Sequence, residues 1–411
     1  MKVLVCPSGF KGSLCPESAA NCIEAGILRA MPNAIVRKVP LADGGEGFAN
    51  ALTAATGGTT REVSVTGPVG KPVDSYYGIL GNTPVKTAVI EMAAVAGLSL
   101  VPKDLRNPCL TTTYGVGELI AAALDEGVER IIIGCGDSGT SDGGAGMLQA
   151  LGARLIGRNG QDLPRAGGGR SLSSLAGIDL SNMHPGLEKV VIEAACNWKN
   201  VLCGPHGVAR VYGPQKGATP EQTENLAAAL DTYAAVIHRT IGLNVADAPG
   251  SGASGGLGTG LMLVGAKLRP RYEALSEYFH LDDGIFTDCD LVITAEGGVD
   301  EQTPRGKIPA EVGMRAKERG IPVIVLAGTV GNNAQINYEV GINAFMSILQ
   351  RPSTLEEAVG ESERLLTEAA EAAMRVVAVG TRLGGRSSRR SEGRSLIGRS
   401  LIGRLVKMIM L

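Results

Sequence analysis

Arg130-Ile131-Ile132-Ile133-Gly134-Cys135-Gly136-Asp137-Ser138-Gly139-Thr140-Ser141-Asp142 is the stretch on which the reading of this chain turns. A β-branched run is followed at once by glycines, hydroxyls and carboxylates. The run suits a strand covered on both faces, and the loop after it is turn chemistry. The same order recurs along the chain. Short apolar runs at Val3–Cys6, Ala34–Val39, Ala88–Met92, Val190–Ala195, Leu291–Thr294 and Val323–Ala327 alternate with longer amphipathic segments. That alternation predicts an α/β fold built on parallel strands.

Four further segments share the grammar of glycine, charge and hydroxyl. They are Ser8-Gly9-Phe10-Lys11-Gly12-Ser13, the loop Leu41–Gly47 (LADGGEG), the loop Thr294–Thr303 leading to Gly306-Lys307, and Gly213-Pro214-Gln215-Lys216-Gly217. The last leads into Thr219-Pro220-Glu221-Gln222, a capped helix start with a first-turn proline. Ligands of open α/β sheets bind outside the carboxyl ends of strands, so these loops are expected to converge on one cleft.

The chemistry of the loops narrows the choice. No GxxxxGK[ST] occurs, which excludes a P-loop. GxGxxG occurs at Gly134–Gly139 and Gly250–Gly255, but with 58 glycines in 411 residues a chance match is expected. The first carries Asp137 inside it and Asp142 just beyond, which would repel a bare pyrophosphate unless Mg²⁺ intervened. Phosphoryl transfer needs this inventory: backbone N–H groups to cradle phosphates, carboxylates for Mg²⁺, lysines for developing charge and a carboxylate to orient the attacking hydroxyl.

The length of 411 residues suggests two or three domains. Between Val63 and Tyr77 the pattern becomes strand–turn–strand around Gly67-Pro68-Val69-Gly70-Lys71-Pro72, which predicts a domain crossing. A second crossing is expected after Asp282-Asp283-Gly284. The predicted organisation is an open α/β domain from residues 1–65 and 286–380, with a second α/β domain, 66–285, inserted. Thr354-Leu355-Glu356-Glu357 predicts a capped helix running to about Val377. From Thr381 the chain changes character, with eight basic residues against one Glu and the run GRSLI repeated at 393 and 398. This net +7 leaves −9 on residues 1–380 of a total of −2, and predicts a disordered basic tail.

Composition removes several classes. A net charge of −2 and 3% aromatics argue against a nucleic-acid surface. Eight cysteines without a CxxC pair, and four scattered histidines, argue against structural zinc. No secretory signal pattern opens the chain and no uncharged apolar run approaches about 18 residues, so a cytoplasmic protein without a membrane partner is expected.

In order, GFKGSL (9–14), DGGEG (43–47), NPCLTTTYGVGEL (107–119), GDSGTSDGGAGMLQAL (136–151), GPQKGA (213–218), PGSGASGGLGTG (249–260) and EGGVDEQTPRGK (296–307) resemble the type I glycerate kinase family. The resemblance spans nearly all of residues 1–380 and none of the tail. It implies a flavodoxin-like domain with an inserted α/β domain, and phosphorylation of D-glycerate, usually at the 2-hydroxyl, with ATP and Mg²⁺. Carried onto this chain, Asp43 or Asp300 would orient the substrate hydroxyl, while Lys11 and Lys307 would steady phosphates or the substrate carboxylate. Gly44, Gly45, Ser138, Thr140 and Lys216 would bind the nucleotide phosphates, and Asp137 and Glu296 would hold the metal. Three positions depart from the family pattern: Ser8-Gly9, Ala295 and Asn197. Two rivals stay open at this point. Gly134–Gly139 supports a nicotinamide-dependent hydroxy-acid dehydrogenase, and the departures support a non-catalytic nucleotide- or metabolite-binding protein. A homo-oligomer is an open alternative to a monomer.

Overall fold

The structure, a computed structural model, describes residues 1–383 apart from Lys11, Ala42, Asp43, residues 279–283 and Gly306. The predicted tail therefore lies outside the described residues from position 384. Thirteen strands are formed among the described residues: β1 (Lys2–Val5), β2 (Ile35–Lys38), β3 (Thr59–Thr66), β4 (Pro72–Ile79), β5 (Thr87–Glu91), β6 (Arg130–Gly134), β7 (Arg154–Gly157), β8 (Leu175–Asp179), β9 (Val191–Cys196), β10 (Lys267–Pro270), β11 (Leu291–Val299), β12 (Val323–Val330) and β13 (Ala344–Ser347).

One sheet runs β13-β12-β11-β1-β2, with every pair parallel. Read from β2, this is the 2-1-3-4-5 order of flavodoxin-like sheets, with β11 to β13 supplying the last three places. The other large sheet runs β10-β9-β6-β5-β4-β3, parallel from β10 to β5 and antiparallel through β4 and β3. The Gly67–Pro72 turn joins β3 to β4 as its sequence predicts. β7 and β8 form a separate antiparallel pair.

Alternation along the strands distributes side chains between cores. In β1, Val3 and Val5 face the helix Pro16–Ala30, while Leu4 points to the opposite side. In the second sheet, Ile131 and Ile133 face one core and Ile132 the other. Leu4 and Val292 of the first sheet thus share a core with Val89, Ile132 and Ala195 of the second. The space between them is filled by Phe48 and Leu52 of the helix Phe48–Ala55, Ala274 and Tyr278 of Arg271–Tyr278, and Ile308 and Val312 of Ile308–Glu318. The two sheets are packed across one hydrophobic layer.

Two expectations are corrected. β2 is not covered on both faces: it ends its sheet, and Ile35 is 62% exposed beside Arg37 and Lys38. The Thr354 capping box forms, but its helix stops at Gly360, turns at Glu361 and resumes over residues 362–383. The resumed helix buries Leu365, Leu366, Ala369, Ala370, Ala373 and Met374 on one face, at the 3.6-residue period, against Ala19, Ile23 and Ile27.

At that crossing Gly26 sets the approach. A Cβ on Gly26 would stand 2.3 Å from the Thr367 carbonyl oxygen and 2.7 Å from Ala370 Cβ. Backbone cannot yield as a flexible side chain can, so the helices must part. Gly26→Ala should lower the unfolding free energy by about 1–3 kcal/mol, the cost of overpacking. Denaturant titration of the variant beside the wild type measures it, and an unchanged midpoint would mean that the helices do not cross there.

Candidate functional site

The described loop residues lie in a row along the carboxyl ends of the strands β1, β2, β6 and β11. At one end, β11 projects about 10 Å past Glu296 at roughly 3.3 Å per residue and carries Asp300 beyond its tip. The Asp300 carboxylate accepts from Gln302 N at 2.9 Å and Thr303 Oγ1 at 3.3 Å, an Asx-type turn. Lys307, the N-cap of the helix Ile308–Glu318, donates from Nζ to the Gly298 carbonyl at 3.0 Å and lies 3.6 Å from Asp300 Oδ1. Both side chains remain about one third exposed, so the pair can reach a ligand.

Nearer the sheet, Ser8 follows β1 and registers with Glu296 on β11. Its N–H donates to Ala295 O at 2.8 Å and its hydroxyl to Glu296 Oε2 at 2.7 Å. Ser8 departs from the family pattern, yet its hydroxyl reaches the Glu296 carboxylate. Leu41 N donates to Pro7 O at 2.9 Å, which ties the segment after β2 to the one after β1.

Here the two sheets meet backbone to backbone. A Cβ on Gly136 would lie 2.6 Å from Gly45 Cα, and one on Gly134 would lie 2.8 Å from Gly44 O. Only glycine permits this approach. Glu46 N donates to Asp137 Oδ2 at 3.3 Å, and Asp137 itself is left-handed at φ 48°. Beneath the loop, Glu91 ends β5 and is 1% exposed. Burial pushes its carboxyl up to about 7 against hydrogen bonds from Ala49 and Gly47 N–H, with Glu46 and Asp137 adding to the rise.

The far end of the row rests on buried polar groups. Lys216, expected to touch phosphate, is 3% exposed and faces inward: Nζ donates to Ser138 Oγ at 2.8 Å and Thr140 O at 2.6 Å. Burial pulls its ammonium down to about 7, partly offset by the Asp142 charge. Asp142, buried as well, accepts from Thr113 N at 2.8 Å, Gly144 N and Gly146 N at 3.2 Å, and the Thr113 hydroxyl. Burial nevertheless pushes its carboxyl up. The Thr140 and Ser141 hydroxyls are fully buried and find no hydrogen-bond partner among the described residues.

Among the expected site residues, Gly44, Gly45, Asp137, Ser138, Glu296, Asp300 and Lys307 lie along this row, while Thr140, expected to bind phosphate, and Lys216 are buried under it. Lys11 and Asp43 lie outside the described residues. Asn197 forms a local turn, its Oδ1 accepting from Lys199 N at 3.1 Å. Glu91 and Thr113 escaped the sequence reading, each a polar side chain in an apolar or hydroxyl-rich run, a signal too common to single them out. Asp142, read from the sequence as an acid beside the Gly134–Gly139 loop, is buried and supports the loop from within. The Gly250–Gly260 segment is a close-packing device: a Cβ on Gly255 would lie 1.9 Å from Thr140 O. At Gly134–Gly139 the next helix opens only at Ala145, so these glycines do not open a helix as a dinucleotide fingerprint must.

No three His, Cys, Asp or Glu side chains among the described residues stand close enough to hold a metal by themselves. Mg²⁺ usually takes one or two carboxylates together with substrate phosphates, and Asp137 and Glu296 are each the kind of oxygen donor that this habit calls for. No helix among the described residues is long and apolar enough to cross a membrane.

The inward-facing lysine yields a pH prediction. Lys216 holds its proton less tightly folded, near 7, than unfolded, near 10.5, so the unfolded chain binds more protons between these values and stability rises with pH there. From pH 7 to 9, wild type should gain about 2 kcal/mol relative to Lys216→Met. Parallel denaturation curves across that range test this, and a constant difference would place the ammonium in solvent.

Comparison with known proteins identifies the family. Residues 3–378 match the glycerate kinase family. The chain is 44% identical over 369 residues to a glycerate kinase of Halalkalibacterium halodurans, covering 90% of this chain and 96% of the relative. It is 42% identical over 386 residues to the glycerate 2-kinase of Escherichia coli K12, covering 94% and 100%. A crystal structure from Salmonella typhimurium LT2, described as a glycerate kinase 2, superposes with a TM-score of 0.76 at 42% identity, covering 93% of this chain and all of that one. With its parallel sheets, its row of acid-and-glycine loops and this similarity over almost its whole length, the chain belongs to the glycerate kinase family.

Proposed function

We propose that this protein transfers the γ-phosphoryl group of ATP, as its magnesium complex, to D-glycerate, giving 2-phosphoglycerate. The observation that carries the reading is the placing of Lys307 with Asp300, Ser8 with Glu296, and Gly44–Gly47 with Gly136 and Asp137 at the carboxyl ends of their strands. The names of the relatives supply the substrate and the position of transfer. In this reading the sheets define two units, with the chain entering the second at β3 and leaving it after β10. The site lies where their strand ends meet.

The bound nucleotide–magnesium complex supplies the phosphoryl group and neutralises charge developing on it. The protein's part is to bind and orient. Gly44, Gly45 and Gly136 bring backbone close enough for N–H groups to line a phosphate path, while Ser138 and the Thr140 segment border it. Asp137 and Glu296 offer carboxylate oxygens to the metal. Asp300 orients the glycerate hydroxyl and accepts its proton, with Lys307 steadying the substrate carboxylate or the transferred phosphoryl. Asp43 and Lys11 keep their proposed roles as alternative base and phosphate ligand. A small hydroxy acid suits a site built from short polar loops. Dependence on ATP supports a cytoplasmic location.

Purified protein should form ADP with D-glycerate and Mg²⁺, and little with hexoses. Coupling the product to enolase alone, and then to a mutase with enolase, separates the 2-phosphate from the 3-phosphate. Faster turnover of a hexose or of ribose would overturn the substrate assignment. Asp300→Asn and Lys307→Ala should each lower kcat by about a hundredfold, as expected when a group stabilising developing charge is removed. Wild-type turnover in both variants, with folding intact, would reduce the loop 296–307 to a structural element.

A further inference from the structure

The geometry points to Glu91 as a positioning residue for this reaction: from the end of β5 its buried carboxylate holds the Gly44–Gly47 loop against the loop that carries Asp137. The inference rests on the reading that these loops carry glycerate phosphorylation.

Glu91 Oε1 accepts from Gly47 N at 3.0 Å and Oε2 from Ala49 N at 3.0 Å. These are donors at the start of the helix Phe48–Ala55, where four N–H groups have no partner within the helix. The usual remedy is a Ser, Thr, Asp or Asn at the N-cap. That remedy is closed here, because the N-cap is Gly47, held left-handed at φ 89°. The cap is supplied instead from another element, by a side chain 44 positions along the chain from Gly47. Glu91 sits inside the second sheet, where it pairs with Gly134 on β6, so the cap also ties the helix start to that sheet.

The contact has a direction. Glu91 fixes Gly47 and Ala49, the residues on either side of Phe48. One residue earlier, Glu46 N reaches Asp137 Oδ2 at 3.3 Å, and Gly45 lies in backbone contact with Gly136. Gly45, Gly47 and Asp137 thus move as a unit, and the carboxylate below them decides where that unit sits. Glu91 is 1% exposed, so it acts through the loop and does not touch substrate. Burying a carboxylate is costly, and a cavity-filling apolar residue would serve packing alone better.

Glu91→Gln keeps the shape but turns one acceptor into a donor facing an N–H, so one of the two hydrogen bonds is lost. Steady-state kinetics with D-glycerate and magnesium-ATP, read beside melting temperatures, provide the test. Gly26→Ala, remote from the loops, serves as the destabilised control. We expect Glu91→Gln to lower kcat/KM tenfold or more with a melting temperature no lower than that of Gly26→Ala, whose kinetic constants stay within twofold of wild type. Should Glu91→Gln fail to fold, Glu91→Asp, which keeps the charge but withdraws it by one methylene, is measured by the same criteria. Kinetic constants within twofold of wild type, or activity lost only in proportion to the folded fraction, would overturn the inference. A wild type without glycerate-dependent turnover would overturn the functional reading along with it, whereas an active wild type and a normal variant would overturn the inference alone.

Discussion

The shared hydrophobic layer between the two large sheets is the constraint on which the rest depends. Leu4 and Val292 from one sheet and Val89, Ile132 and Ala195 from the other are buried in a single cluster. Apolar contact of this kind is non-directional, but once formed at native packing density it leaves little freedom to slide. The carboxyl ends of β1 and β11 are thereby brought beside those of β5, β6 and β9. Every loop proposed to bind ligand issues from one of these ends or packs upon them. Phe48 joins the two tasks: it is buried in the shared layer, and it immediately follows the loop Gly44–Gly47.

Glycine converts this proximity into a site. Where Gly134 and Gly136 meet Gly44 and Gly45, a Cβ on either Gly134 or Gly136 would intrude upon backbone. The result brings backbone groups and short polar side chains together in place of bulky ones, which suits phosphate recognition. Such loops have little packing of their own. They are held from below by buried polar groups instead: Glu91 under Gly47, Lys216 under Ser138 and Thr140, and Asp142 under Thr113 and Gly144. Opposite charges buried under neighbouring loops are consistent with a site whose form is specified by hydrogen bonds more than by area.

Much of this was legible in the sequence, for reasons that can be named. Arg130–Gly134 reads as a covered strand because it is one, with Ile131, Ile132 and Ile133 divided between two cores. The Thr219 and Thr354 capping boxes are local chemistry, and both form. β2 misled because its apolar residues do not report that the sheet ends there. The turn at Glu361 was not legible because a single glycine such as Gly360 is often tolerated inside a helix. The path of the chain beyond it is set by the fit of Leu366 and Ala370 against Ile23 and Gly26. Lys216 reads from the sequence as a phosphate ligand, but burial turns it inward to Ser138 and Thr140.

By itself, the sequence determined the alternation of strands and helices, the loops that carry charge and glycine, and the family to which they point. The first two are local properties, fixed by propensity, periodicity and spacing along the chain, and the family is what the resemblance of the loop motifs implies. Only the tertiary structure decided that Ser8 meets Glu296 and that Glu46 meets Asp137, contacts between residues 288 and 91 positions apart. It also decided that Lys216 supports the site from within while Lys307 reaches out of it. The physical reason is burial: whether a lysine binds a ligand or a neighbouring loop depends on which groups close over it, and those come from parts of the chain that meet only when the two sheets pack together.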